Sequence, residues 1–296
     1  MTADRLSASF AVLIEAAGAA DISCTGAEPI RFAENDIWRL PGKIVARISR
    51  AGQDKAAVRE VAVTRWLAGS GLRAVRPLDI DQPVVVGGRA VTFWEELPPH
   101  RTGTVMDLAP LLRQMHDLPV PNIPLGTMNP FVRVADRITQ ASWLPDTDRT
   151  WLMGQLADLE QQWNELPEGR PARVIHGDAW QGNCVITDTE ATTYLLDFER
   201  TSLGRPEWDL TATAGDMETF GTLPREDYER YCEAYGHDVT SWSGYRTMLS
   251  IRELRQASFA VQYADEQPGA RDQAAYRVSC IRGLEGPRPW RWTAIP

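Results

Sequence analysis

Two short stretches of this 296-residue chain gather residues able to do chemistry. The first, Val174–Ile186, reads VIHGDAWQGNCVI and carries His176, Asp178, Trp180 and Asn183. The second, Tyr194–Glu199, reads YLLDFE and carries Asp197 and Glu199. An apolar strand runs into the first loop, a second leaves it, and a third ends at Asp197. A hairpin of this kind returns Asp197 beside Asn183, so that two side-chain oxygens face one point and Asp178 stands a few residues away. Oxygen donors of this type suit Mg²⁺, which keeps waters and substrate phosphates in its other positions. Taken singly, each aspartate reads equally well as a turn residue. His-Gly before Asp178, Asn at its offset and Phe-Glu after Asp197 make them a set.

The rest of the chain must position that set. Residues 6–20 have the spacing of a short amphipathic helix. Pro29–Phe32 and Asp36–Leu40 read as short strands around a polar tip, and Lys43–Ser49 alternates as a third. Residues 54–70 have helical spacing and stop at Gly69 and Gly71. Val84–Val86 and Arg89–Glu95 flank Gly87-Gly88 as a hairpin. Beyond Pro98-Pro99 the pattern turns helical: 106–117, with Pro110 expected in its first turn, then 146–165, 208–220, 225–236 and 242–264. Trp66, Trp151, Trp163 and Trp242 are core candidates by spacing. The tail Pro287–Trp292 (PRPWRW) reads as a packed extension without an assigned role.

Composition narrows the classes. A 43% hydrophobic and 24% charged chain is an ordinary globular one, long enough for about two domains. The net charge of −9 argues against nucleic acid as a partner. Residues 1–97 hold 12 basic and 12 acidic side chains, whereas residues 98–296 hold 19 and 28. That asymmetry reads either as solubility or as attraction for a cationic partner. No apolar run reaches the roughly 18 residues of a membrane helix, and the start lacks the order of a secretory signal. Cys24, Cys184, Cys232 and Cys280 are scattered, with no C-x-x-C, as expected of free thiols in a cytoplasmic protein.

HGD-x4-N followed by LDFE resembles the signature of the aminoglycoside phosphotransferase and choline-kinase-like family, relatives of the protein kinases. The resemblance extends to TFWEELP (Thr92–Pro98), LLRQMHDL (Leu111–Leu118) and GRPEWDL (Gly204–Leu210). It implies an α+β, bilobal protein-kinase-like fold, with a small β-rich N-terminal lobe over 1–97 and a larger, mainly helical lobe over 98–296. It implies an ATP- and Mg²⁺-dependent kinase acting on a small-molecule hydroxyl, with GTP not excluded as donor. Phosphoryl transfer demands positioning and charge neutralisation more than covalent chemistry. Asp178 would accept a hydrogen bond from the acceptor hydroxyl, and Asn183 and Asp197 would hold the metal. His176 and Asp209 would support the catalytic loop.

On the nucleotide side, Arg47 stands where the family has a strand lysine, with Glu60 as its helix partner and Val45 on the same strand face. Arginine is not a neutral replacement for lysine, because its flat fork demands other partners. Asn35 matches a phosphate-loop asparagine, although the loop lacks the glycines expected there. Adenine would meet the hinge near Glu95 and Leu97. For the acceptor, the candidates are Trp180, whose indole suits packing against a sugar ring, and the acidic Glu199, Asp216, Glu218 and Glu253, which suit a cationic molecule. The acceptor class stays open between an aminoglycoside-type or other antibiotic and a metabolic amino sugar, choline, ethanolamine or homoserine-like alcohol. A non-catalytic nucleotide-binding module is a further alternative. A hydrolase metal site built on His176, Asp178 and Asp197 would need more histidines than His100, His116 and His237 provide. The oligomeric state is not legible.

Overall fold

Leu13, Ala16 and Ala17 share one side of the first helix, α1 (Ala3–Ala19), and are fully buried in the computed structural model, which describes residues 3–293 and 295. In chain order there follow β1 (Glu28–Phe32), β2 (Asp36–Leu40), β3 (Ile44–Ala51), α2 (Asp54–Gly69), β4 (Val84–Val86), β5 (Arg89–Glu95), β6 (His100–Thr102), α3 (Val105–Asp117), α4 (Val134–Gln140) and α5 (Asp146–Asn164). Next come β7 (Arg173–Ile175), β8 (Cys184–Thr187), β9 (Thr193–Leu195), β10 (Ser202–Gly204), α6 (Glu207–Gly215), α7 (Arg225–Tyr235), α8 (Tyr245–Glu266) and α9 (Arg271–Ile281). Contacts divide the chain into two units: the residues up to Gly126 with His176–Ser202, and Thr127–Ile175 with Leu203 onward. The boundary expected after residue 97 falls inside the first unit. No helix among the described residues is long and apolar enough to cross a membrane.

In the first unit, β1-β2-β3-β5-β4 form an antiparallel sheet, with Val45 opposite Trp94 and Arg47 opposite Thr92. Strand alternation sends Ala46 and Ile48 into an apolar core with Trp38, Phe93 and α1. It sends Val45 and Arg47 to the opposite face, as their spacing predicts. Trp38 Nε1 donates to Ser9 Oγ at 3.0 Å and ties α1 to β2. A smaller sheet, β6-β8-β9, carries the loop from His176 onward.

Helix α3 corrects one expectation. It starts at Val105 behind a Thr104–Asp107 capping box, so Pro110 is its sixth residue and lies in the second turn, not the first. The missing N–H costs one i→i−4 bond, on an exposed side of the helix where water can serve the carbonyl left over.

The second unit is helical. Leu152, Leu156 and Leu159 of α5 pack in one core with Trp208, Met248, Ile251, Leu254 and Val261. Trp151, Trp163 and Trp242 only border that core, and Trp66 is also half-buried. The buried tryptophans are Trp38, Trp94, Trp208, Trp290 and Trp292. The tail is packed, as expected: Trp290 and Trp292 stack at 5.4 Å, and Phe220 meets Trp292 edge-on at 5.9 Å.

Candidate active site

The loop from His176 to Asn183 is shaped by two glycines. Gly177 has φ +83°, and a Cβ there would run into the Arg200 carbonyl oxygen. Its absence lets the chain after Asp197 lie directly against Asp178. Gly182 has its missing Cβ covered by the Trp180 ring, which sits over the glycine and leaves Trp180 half exposed, at 49%. The hairpin closes as the spacing predicts. Cys184 pairs with Leu195, and Leu196 N–H donates to the Asn183 carbonyl at 2.9 Å, which brings Asp197 next to Asn183.

Donor directions follow from these bonds. Asn183 Nδ2 donates to the Asp178 carbonyl at 2.9 Å, so its side-chain oxygen is the acceptor left over. Asp197 takes a left-handed φ of +61°, which aspartate tolerates better than most residues. Its Oδ1 is buried with no hydrogen-bond partner among the described residues, since Arg47 Nη2 stands 3.7 Å off. A buried carboxylate oxygen without a hydrogen-bond donor fits a hard divalent cation. The histidine is structural in its contacts: His176 is buried, bonds through Nε2 to the Leu196 carbonyl at 2.9 Å, and packs on Phe198 at 5.0 Å.

Arg200, which the sequence reading did not single out, sits 3.8 Å from Asp178 Oδ2. The Asp178 carboxylate holds the Arg200 guanidinium above its usual range despite burial. The signal available in the sequence was only its place one residue after DFE.

Arg47 is the hub of the other half. Its Nη1 donates to both Glu60 oxygens at 2.7 Å, and its Nη2 to Glu199 Oε2 at 2.6 Å. With the Asn35 amide turned so that its oxygen faces the guanidinium, Asn35 accepts from Nη2 at 2.7 Å and from Nε at 3.0 Å. Burial would lower the Arg47 pKa, but Glu60, Asp197 and Glu199 raise it overall. Burial pushes the Glu60 carboxyl up to about 7, with Arg47 opposing. Glu199 is likewise raised, by burial and then by Asp197. Arg59 Nη2 donates to the Glu199 carbonyl at 2.6 Å. Asn35, Arg47, Gln53, Glu60, Thr92 and Glu199 line a cleft of about 300 Å³, open solvent included. At Glu95–Leu97, Glu95 N–H donates to the Arg76 carbonyl and Glu96 N–H to that of Lys43, both at 2.8 Å.

The remaining candidates lie in the second unit. Asp209 is buried in the first turn of α6. Asp216 and Glu218 lie on a π-helical turn, Asp216–Phe220, that continues α6; such turns recur at functional sites. Burial pushes Asp216 up to about 6, and Glu218 pairs with Arg246 at 2.5 Å. Glu253 is buried, with one oxygen taken by Arg288 and the other shared by Arg288 and Thr219.

The chain matches the model of the phosphotransferase enzyme family over residues 27–249, three quarters of its length. No curated protein sequence matches it. Its fold is similar to that of amicoumacin kinase hAmiN in complex with AMP-PNP, Ca²⁺ and Ami, at a TM-score of 0.68 and 14% identity over 95% of this chain and 96% of that one. It is also similar to a choline/ethanolamine kinase family protein from Mesorhizobium loti, at 0.60 and 17% over 87% of each chain. Aminoglycoside phosphotransferase APH(3'')-Id from Streptomyces rimosus gives 0.59 and 21%, over 84% of this chain and 98% of that one. A small antiparallel-sheet lobe with a helical lobe is the protein-kinase-like architecture. The chain belongs to the phosphotransferase enzyme family.

Proposed function

We propose that this chain transfers a phosphoryl group from ATP to a hydroxyl of a small amine-bearing molecule, an aminoglycoside-type or other antibiotic ahead of a metabolic amino alcohol. The observation that carries the reading is the closure of the hairpin, which gathers Asp178, Asn183 and Asp197 within one unit. Asp178 would orient the acceptor hydroxyl, taking its hydrogen bond, with Arg200 fixing the carboxylate. Asn183 and Asp197 would hold Mg²⁺. When bound, the metal neutralises charge on the donor's phosphate oxygens.

Arg47 and Asn35 are the proposed phosphate contacts, Glu60 the group that orients Arg47, and Val45 and the hinge at Glu95–Leu97 the seat of the base. Lobes divided after residue 97 would separate this nucleotide side from the acceptor side. Trp180 offers an exposed indole face for a sugar ring or an ammonium group. Asp216 and Glu218 are the proposed carboxylates for acceptor amines, and the −9 charge would raise their encounter rate. Glu253, with both oxygens engaged, would act through its neighbours.

The test is an ADP-release screen with ATP and Mg²⁺ against aminoglycosides, other antibiotics, amino sugars and amino alcohols. Asp178→Ala should lower turnover by about 10²–10⁴. Near-wild-type ADP production by that variant would end the assignment. A neutral or anionic acceptor would remove the charge argument alone.

A further inference from the structure

We propose that Arg47 and Glu199 form an exchange couple, a nucleotide phosphate replacing Glu199 on the guanidinium and the released carboxylate turning to the cation held at Asp197. The proposal rests on the kinase reading above and concerns how its nucleotide side is loaded.

A guanidinium has five N–H donors and no acceptor. All three nitrogens of Arg47 are engaged: Nη1 with both Glu60 oxygens, Nη2 with Glu199 and Asn35, and Nε with Asn35. A phosphate arriving at Arg47 therefore competes with partners already in place. Glu60 is held through both oxygens by Nη1 and is 4% exposed, and stripping it of its partner would strand a buried charge. Asn35 is neutral, so displacing it would leave the crowding of charge unrelieved. Glu199 holds Arg47 through a single bond, its side chain is 28% exposed, and it lines the same cleft.

Charge points the same way. Three carboxylates, Glu60, Glu199 and Asp197, already surround the one guanidinium. A phosphate added without movement would be a fourth anionic group. The motion required is small. Arg59 holds the Glu199 main chain through its carbonyl, so only the side chain needs to swing. Glu199 and Asp197, whose buried Oδ1 has no hydrogen-bond donor and faces the Arg47 guanidinium at 3.7 Å, lie two residues apart, so the released carboxylate would turn toward a cation held there. In this way Arg47, where a lysine is expected, makes arrival of the nucleotide the event that completes the metal's ligands.

ADP binding to the full-length chain, measured by calorimetry in EDTA and in Mg²⁺, tests this. Glu199→Gln should tighten metal-free ADP by about tenfold when Arg47 is present and by less than about twofold in an Arg47→Met background. Mg²⁺ should then tighten ADP less in Glu199→Gln than in the wild type. Equal gains in both backgrounds would mean that only bulk charge was removed, and would overturn the couple. Should Arg47→Met fail to fold, a wild-type crystal structure with ADP and Mg²⁺ decides. A phosphate oxygen within about 3.2 Å of Arg47, with Glu199 withdrawn, supports the couple, and an intact Arg47–Glu199 bond overturns it. A wild type that binds no ADP or ATP removes the kinase reading itself, whereas additive gains with ADP bound remove only the exchange.

Discussion

Arg47 in the first unit and Arg288 in the second both grip a buried glutamate through two short bonds, and they are built for different ends. Arg288 donates from Nε and Nη2 to the two oxygens of Glu253, at 2.7 and 2.5 Å, and lies 4.3 Å over the Trp290 ring. One cation, one carboxylate and the Thr219 hydroxyl balance there, with stacked indoles alongside. Arg47 faces three carboxylates at the edge of a cleft. A balanced, walled pair specifies a packing; an over-supplied pair beside open space is poised to trade a partner. The same ion-pair chemistry thus gives a rivet in one unit and a loading point in the other.

That contrast is open to attack, most strongly at the rivet. Arg288→Leu should strand the Glu253 carboxylate and destabilise the protein by about 3 kcal/mol, the low end for a broken buried pair because Arg288 is a third exposed. Thermal unfolding would read this, while the ADP dissociation constant should stay within about twofold. A comparable loss of ADP affinity would erase the distinction.

Gly221 gives a smaller effect on the same strap. It has φ +65°, and a Cβ would meet Pro289 at 2.9 Å. Gly221→Ala should cost about 1–2 kcal/mol, with faster hydrogen exchange over 216–221.

The smallest effect belongs to Glu60 and shows as a pH slope. Its carboxyl is raised from 4.5 to about 7, first by burial, so the folded chain keeps a proton that the unfolded chain has lost. Stability should therefore fall as pH rises from about 4.5 to about 7 and level off above that. Asp216 contributes the same sign only up to about 6. Urea unfolding between pH 6 and 7 should show a slope that Glu60→Gln reduces; an unchanged slope would place the cost elsewhere.

Local pattern made much of this legible in the sequence. Alternation along β3 put Val45 and Arg47 on one face, the glycine pair fixed the β4–β5 hairpin, and the HGD-x4-N and LDFE spacing closed the Asn183–Asp197 turn. What stayed hidden was set at long range or disguised. Glu199 lies 152 residues from Arg47, and only the fold shows that it consumes a guanidinium donor. Helix α9 hid because its buried side includes Arg277, and α4 because it is seven residues long and follows Arg133 in a left-handed conformation. The tail announced its tryptophans but not Thr219, whose carbonyl accepts from Trp290 N–H at 2.8 Å.

The first unit is sewn from two separated stretches, and together they hold Asn35, Arg47, Glu60, Asp178, Asn183, Asp197 and Glu199. Residues from Leu203 onward can therefore be exchanged in a gene without touching any of these seven.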